Sequence, residues 1–287
     1  MTAARRDRVL VGVLRSGAFV SGIVVLLIFA FLLLESIPAL RGIGSRFFTD
    51  STWNPAPVAA EGEFNLLPML YGTLLATFGA VLLATPLGLL SAIFCHEYAP
   101  PVVASVYRRS IELLAGIPSV VYGLWGLMVV VPLIREVQPP GASLLAGVIV
   151  LTIMILPTIA LIADAALAGV PVAYRRSAAA LGLSRWTTLR GVILPAARSG
   201  LLTGVILETG RAIGETMAIL MVCGNVVKSP SSIFDPIRTL TANIALEMGY
   251  AAGDHRAALF VSGLILLVLV AGLVVVAELI DRGRIHG

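Results

Sequence analysis

Ala178-Ala179-Ala180-Leu181-Gly182, followed by Val192-Ile193-Leu194-Pro195, stands in a stretch, residues 164–200, that differs from everything around it. The stretch carries Arg175, Arg176, Arg185, Arg190 and Arg198, and no acid between positions 165 and 199. Pro171 can occupy the first turn of a helix, where its missing N–H costs nothing. Residues 172–181 then read as a short helix, with Ala178, Ala179 and Ala180 as strong formers. Gly182 supplies a left-handed C-cap. Ser184 can N-cap a second helix that runs to Leu194 and is disturbed by Pro195. The result is a polar helix–turn–helix between apolar segments. Small alanines let a partner's surface approach closely, and the arginines can pair with acids on that partner. They suit equally an anchor resting on anionic lipid headgroups.

The rest of the chain is oil. Of 287 residues 58% are hydrophobic and 13% charged, and the mean hydropathy is +0.99. Soluble domains carry about 25% charged residues, so the composition is that of an integral membrane protein. The 28 glycines and 16 prolines are spread through apolar segments and favour a packed, irregular helix bundle. Lys228 is the only lysine and lies among valines, which excludes a phosphate-cradling Gly-x4-Gly-Lys loop. Cys95 and Cys223 read as unpaired core thiols. His96, His255 and His286 have no metal-ligand spacing. No catalytic residue and no metal site is expected.

A bilayer core needs about 20 apolar residues per helix. Six stretches qualify: 17–34, 66–95, 111–134, 142–163, 201–223 and 257–279. Pro86 with Gly88 is expected to break the second, and Pro118 and Pro157 to kink the third and fourth. Arg5, Arg6, Arg8, Arg15, Arg108, Arg109, the arginines of 164–200, Arg282 and Arg284 fall on one side. Arg41, Arg46, Arg135, Lys228, Arg238 and Arg256 fall on the other, in longer loops. By the positive-inside rule both termini are cytoplasmic. The first span is expected to stay uncleaved, since Leu32-Leu33-Leu34-Glu35 and Ile37-Pro38 follow where a small-x-small site would stand. This divides the chain into a cytoplasmic segment 1–16, a membrane domain 17–280 with a cytoplasmic loop 165–199 and external loops 36–65 and 224–256, and a cytoplasmic tail 281–287. The external loops hold Phe47, Phe48, Trp53, Pro55 and Pro57, and Pro230, Asp235, Pro236, Glu247 and Asp254. Both are too long for plain turns and either receive a partner or cap the bundle.

Glu208, Arg211 and Glu215 lie inside the fifth span. At roughly 100° per residue they share an arc of about 60°. A charge at the bilayer centre costs about 2.5–3.5 kcal/mol, so these groups must face protein or water. Arg211 and Glu215, four apart, can pair. They either fix helix register or line a path for an anion, which an arginine binds through parallel hydrogen bonds. Gly200-x3-Gly204 and Gly210-x3-Gly214 mark the same span as one that packs closely, beside a sister subunit.

Ala178-x3-Gly182-x9-Val192-Ile193-Leu194-Pro195 resembles the Glu-Ala-Ala-x3-Gly-x9-Ile-x-Leu-Pro signature of ABC importer permeases. The spacing from Gly182 to Pro195 fits, but Arg176-Ser177-Ala178 stands in place of Glu-Ala-Ala, which reverses the charge. The resemblance implies a coupling element, involving Arg176, Ala178, Ala179, Gly182, Val192, Leu194 and Pro195, that enters a cleft of a separate ATPase. Further blocks are similar to the PstC-type phosphate permeases within that family: residues 67–74, 112–126, 210–218 and 239–247. Phe64-Asn65 departs from the Phe-Gly usual there. This resemblance implies an all-α, six-span permease of the type I importer fold in a bacterial inner membrane. It implies a phosphate path through Arg211 and Glu215, with Glu208 beside them. The implied partners are a PstA-like sister permease, a PstB-like ATPase dimer, a periplasmic or lipid-anchored PstS-like binding protein, inorganic phosphate and membrane lipid, without nucleic acid. No cofactor is expected on this chain, ATP being bound by the ATPase. The rival readings are a permease for molybdate or sulfate, an ion-gradient-driven transporter using Glu208 or Asp164, and a structural membrane subunit.

Overall fold

Lipid offers a backbone no hydrogen-bond partners, so apolar stretches satisfy themselves as helices. The computed structural model describes residues 3–55 and 62–282; Pro57, Arg284 and the tail from residue 283 lie outside them. In chain order the elements are α1 (Ala3–Gly42), α2 (Arg46–Thr49), the antiparallel pair β1 (Trp53–Asn54) and β2 (Glu63–Phe64), α3 (Leu67–Ile93), α4 (Pro101–Ala115), α5 (Ser119–Trp125), α6 (Val131–Val137), α7 (Leu144–Ala168), α8 (Val172–Ala180), α9 (Arg185–Thr188), α10 (Leu194–Gly214), α11 (Met217–Val222), α12 (Leu240–Glu247) and α13 (Gly253–Arg282). π-helical turns at Phe94–Tyr98, Gly126–Val130 and Leu189–Ile193 extend α3 and join α5 to α6 and α9 to α10.

Six runs among the described residues are long and apolar enough to cross a membrane: Leu10–Gly42, Leu67–Tyr98, Ser119–Val137, Leu144–Ala168, Arg185–Gly214 and Gly253–Val276. The number matches the sequence reading; several bounds and breaks do not. The first crossing is longer at both ends than 17–34. The third begins at Ser119, because Pro118 cannot continue a helix and the chain leaves helical geometry between Ala115 and Ser119. Ile111, with Arg108 and Arg109, therefore sits on the separate helix α4 rather than in a span or a loop. Pro86 and Pro157 stay inside unbroken helices. Pro195 does not end its helix either; it takes the first turn of α10, directly after a π-turn that keeps the run from Arg185 to Gly214 continuous. The loop of 165–199 shrinks to α8 and its flanking turns. The fifth span breaks at Glu215, whose backbone is extended (φ −67°, ψ 129°).

Three buried clusters stack along α3. Leu66 and Met69 meet Phe47, Trp53, Leu240 and Leu259 at the hairpin end. Ala76, Ala80 and Ala84 meet Leu151, Met154, Ile155 and Ile219 in the middle. Ala92 meets Leu167, Val170, Leu189, Ile193 and Ala197 at the α8 end. The alanines recur every fourth residue, so one small-residue stripe of α3 lies flat on α7. Gly88 continues it: a Cβ there would stand 2.7 Å from Ile159 Cγ2. Gly200 and Gly204 pack in the same way on Ala166 and Ile162 of α7, within this chain and not against a sister subunit. Gly210 touches only Val270, and Gly214 has open space.

At the hairpin end Gly72 lets α3 approach backbone: a Cβ there would stand 2.8 Å from the Arg238 carbonyl oxygen. Gly72→Val is expected to cost about 1–3 kcal/mol through overpacking and to lower the thermal midpoint in detergent. Gly22→Val, with nothing within 4 Å of the added carbon, should leave it unchanged.

Candidate functional site

The polar groups of the membrane domain gather in three places. The first is the break after α10. Arg211, on its last turn, has a side chain 38% exposed and lies 3.7 Å from Glu208 Oε2 and 3.3 Å from Thr158 Oγ1 of α7. Glu208 is buried, and its Oε2 accepts no hydrogen bond. Glu215 does not pair with Arg211, as an unbroken helix would have allowed. The chain turns away at Glu215, which then caps α11 by accepting the Ala218 N–H at 3.1 Å. Its own carbonyl oxygen accepts a hydrogen bond from the Thr241 hydroxyl at 2.8 Å. Of the three residues read from the sequence, Arg211 keeps a side chain 38% exposed, Glu215 is partly exposed and Glu208 is buried.

The second place is the α8 end. Pro171 precedes α8, and Gly182 closes it with φ +69°, donating its N–H to Ala179 O while Leu183 donates to Ala178 O. Ser184 caps the next helix by accepting the Thr187 N–H. This is the helix–turn–helix read from the sequence. Ala178, however, is buried against this chain, while Ala179 and Arg176 face outward. Val192 and Leu194 are half-buried and Pro195 exposed. The large outward groups are Val172, Tyr174, Leu181 and Trp186, with Leu181 77% and Trp186 59% exposed. Sequence reasoning missed Trp186; an indole within an arginine-rich, water-facing stretch was the available signal.

Beneath α8 run pairs that no spacing could reveal. Arg175 Nη1 lies 2.6 Å from Glu97 Oε1. Arg108 grips Asp164 with two hydrogen bonds of 2.8 and 3.0 Å, and His96 Nδ1 lies 3.5 Å from the same carboxylate. Those bonds raise Arg108 further above the range in which a guanidinium loses its proton.

The third place is the hairpin end, where Glu247 gathers the Trp53 indole N–H at 2.8 Å and Arg238 Nη1 at 2.6 Å, with His255 Nε2 at 2.8 Å. Arg238 also donates to Asn225 O and Asn243 Oδ1. A cavity of about 570 Å³ opens beside them, walled by Asn54, Val227 and Tyr250 as well. Among the described residues no group of three His, Cys, Asp or Glu side chains could hold a metal ion.

Residues 84–286 match the family described as "Binding-protein-dependent transport system inner membrane component". The "Probable ABC transporter permease protein YqgH" of Bacillus subtilis is 44% identical over 78% of this chain and 73% of its own length. The "Phosphate transport system permease protein PstC" of Mesorhizobium japonicum is 37% identical over 80% of this chain and 76% of its own. The protein of that name from Pasteurella multocida is 33% identical over 88% and 87%. In structure, the chain is similar to a chain of the MetNI methionine ABC transporter in its inward-facing conformation, with a TM-score of 0.61 at 20% identity, over 76% of this chain and 95% of that one. The fold is therefore that of a type I ABC importer permease. Six crossings and a matched family of inner membrane components place the protein in the inner membrane as a multi-pass subunit. The chain belongs to the family of inner membrane components of binding-protein-dependent transport systems.

Proposed function

We propose that the chain is one of two permease subunits of an ATP-driven phosphate importer. The observation that carries this reading is Arg211. It is a permanent cation inside a crossing helix, only loosely held by Glu208, with its face open on the side where a second subunit would close a path. An ionised group inside a membrane segment is expensive unless it works. A guanidinium matches a tetrahedral oxyanion through parallel hydrogen bonds and stays charged at any working pH. The phosphate permeases among the relatives support the cargo. Glu208 and Glu215 then act indirectly: the first tempers the charge so that the anion can leave, and the second holds the break that presents Arg211.

The α8 end is the docking surface for an ATPase dimer, with α8 and both termini in the cytoplasm as the arginine distribution requires. Val172, Tyr174, Leu181 and Trp186 supply the apolar contact, and Arg176 calls for a carboxylate on the ATPase. Ala178, Val192 and Leu194 hold α8 in place from below, Gly182 sets its turn, and Pro195 starts the helix that carries Arg211. The sister permease covers the lipid-free side of the path, and a binding protein delivers phosphate at the hairpin end. ATP stays with the ATPase, so this chain needs no cofactor. An ion-gradient mechanism would need a free acid. Asp164 is instead bound by Arg108, and Glu208 faces Arg211.

Arg211→Gln should insert and assemble normally yet carry less than about a tenth of wild-type phosphate uptake in proteoliposomes. Wild-type uptake by that variant removes Arg211 from the path, and stronger competition by sulfate or molybdate than by phosphate reassigns the cargo. Gly182→Asp forces a side chain into a left-handed turn and should weaken co-purification of the ATPase about tenfold. Ser177→Cys, on the outward side of α8, should resist an impermeant thiol reagent in whole cells and react in inverted vesicles. Labelling from outside would reverse the topology.

A further inference from the structure

The helix α3 connects the two ends of the molecule. At one end its π-helical turn carries Glu97, which holds Arg175 of α8 at 2.6 Å with both side chains half-buried. Arg175 Nη2 also reaches the Leu167 carbonyl at 3.5 Å. Among the described residues these are the only side-chain hydrogen bonds from α8 to the membrane helices. At the other end, ~40 Å away at 1.5 Å per residue, Thr73 Oγ1 accepts the Leu240 N–H at 3.0 Å. Gly72 lies against the Arg238 carbonyl there. Arg238 in turn holds Glu247 in the wall of the outer cavity. Between these ends α3 is one unbroken helix, its alanine stripe filled by Leu151, Met154, Ile155 and Ile159 of α7. An unbroken helix carries a displacement from one end to the other as a rigid element. π-turns recur at functional sites, and here one sits where the pull of α8 would arrive.

We propose that Arg175 and Glu97 are the positioning pair that passes movement of α8 into α3, and through α3 to the Arg238–Glu247 wall of the outer cavity. The inference rests on the reading of α8 as the ATPase-docking element. Arg175 faces inward, away from the docking surface, so its loss leaves that surface in place. A partly exposed ion pair adds little to stability; its value here is that it makes α8 and α3 move together.

The test uses the full complex with its ATPase, sister permease and binding protein in proteoliposomes, with inorganic phosphate as cargo. Glu97→Gln and Arg175→Gln should assemble and keep basal ATP hydrolysis within about twofold, while phosphate moved per ATP hydrolysed falls about tenfold. Stimulation of hydrolysis by the phosphate-loaded binding protein should fall in parallel. Arg175→Lys, which keeps the charge, should recover most of the loss. The charge-swapped pair Arg175→Glu with Glu97→Arg should exceed either single swap by about fivefold. An unchanged transport ratio in the Gln variants overturns the proposal. So does a charge-swapped pair no better than its singles, and so does loss of the ATPase from the Glu97→Gln complex, which would make the pair a support for docking alone. If the wild-type complex moves no phosphate but its hydrolysis still responds to a binding protein, the cargo reading falls by itself, and the stimulated-to-basal ratio still reports the pair.

Discussion

Hydrocarbon supplies neither donors nor acceptors, and at three places where this chain leaves helical geometry a side chain supplies what lipid cannot. Where α4 ends before Pro118, the Tyr122 hydroxyl returns to the Leu114 carbonyl at 2.8 Å. Where α10 ends at Glu215, the carboxylate takes the Ala218 N–H and Thr241 takes the Glu215 carbonyl. Where α11 ends, Asn225 donates to Leu220 O and Arg238 to Asn225 O. These breaks make the fold more than a bundle of rods. They aim Arg211, shorten the third crossing and set α4 aside as a separate element. The Thr241–Glu215 bond joins residues 26 apart and the Arg238–Asn225 bond residues 13 apart, so these two breaks are fixed by the packing around them.

That packing is a matter of size. Alanine and glycine let α3 and α10 lie close on α7, and in lipid close approach replaces the missing hydrophobic drive between helices. Polar groups are thereby sorted. The α8 end collects Arg108, Asp164, Arg175 and Glu97; the hairpin end collects Arg238, Glu247 and His255; Arg211 remains between them with a single nearby acid. On the path proposed for Arg211, strong pairs stand where parts are joined and the weaker one where a solute must come and go.

The sequence disclosed what is local. Long apolar runs showed six crossings, and Gly182 and Ser184 showed the turn beside α8, because left-handed geometry and helix capping are written in single residues. Prolines were less informative: Pro118 ends a helix, yet Pro86 and Pro157 lie inside helices, the outcome depending on neighbours that spacing does not reveal. The angular argument for Arg211 and Glu215 assumed an unbroken helix. It failed because the helix ends at Gly214 and the carbonyl of the extended Glu215 meets Thr241, a contact 26 residues away. Arg175 and Glu97 are 78 residues apart and Trp53 and Glu247 are 194 apart; periodicity carries no record of such pairs. Ala178 was expected on the docking surface and is instead buried, since three alanines in a row do not reveal which one packs inward.

The carboxylate of Glu247 has its own consequence. It unites three stretches of chain, the hairpin through Trp53, the approach to α12 through Arg238 and the head of α13 through His255. A hairpin borrowed from a relative and spliced in before Phe64 would therefore bring or omit a donor, not merely a connector. If it lacks the indole, a buried anion is left one hydrogen bond short, at a cost of about 1–3 kcal/mol. Chimeric permeases built to exchange binding-protein preference must accordingly trade all three stretches together, since none of them is a freestanding module.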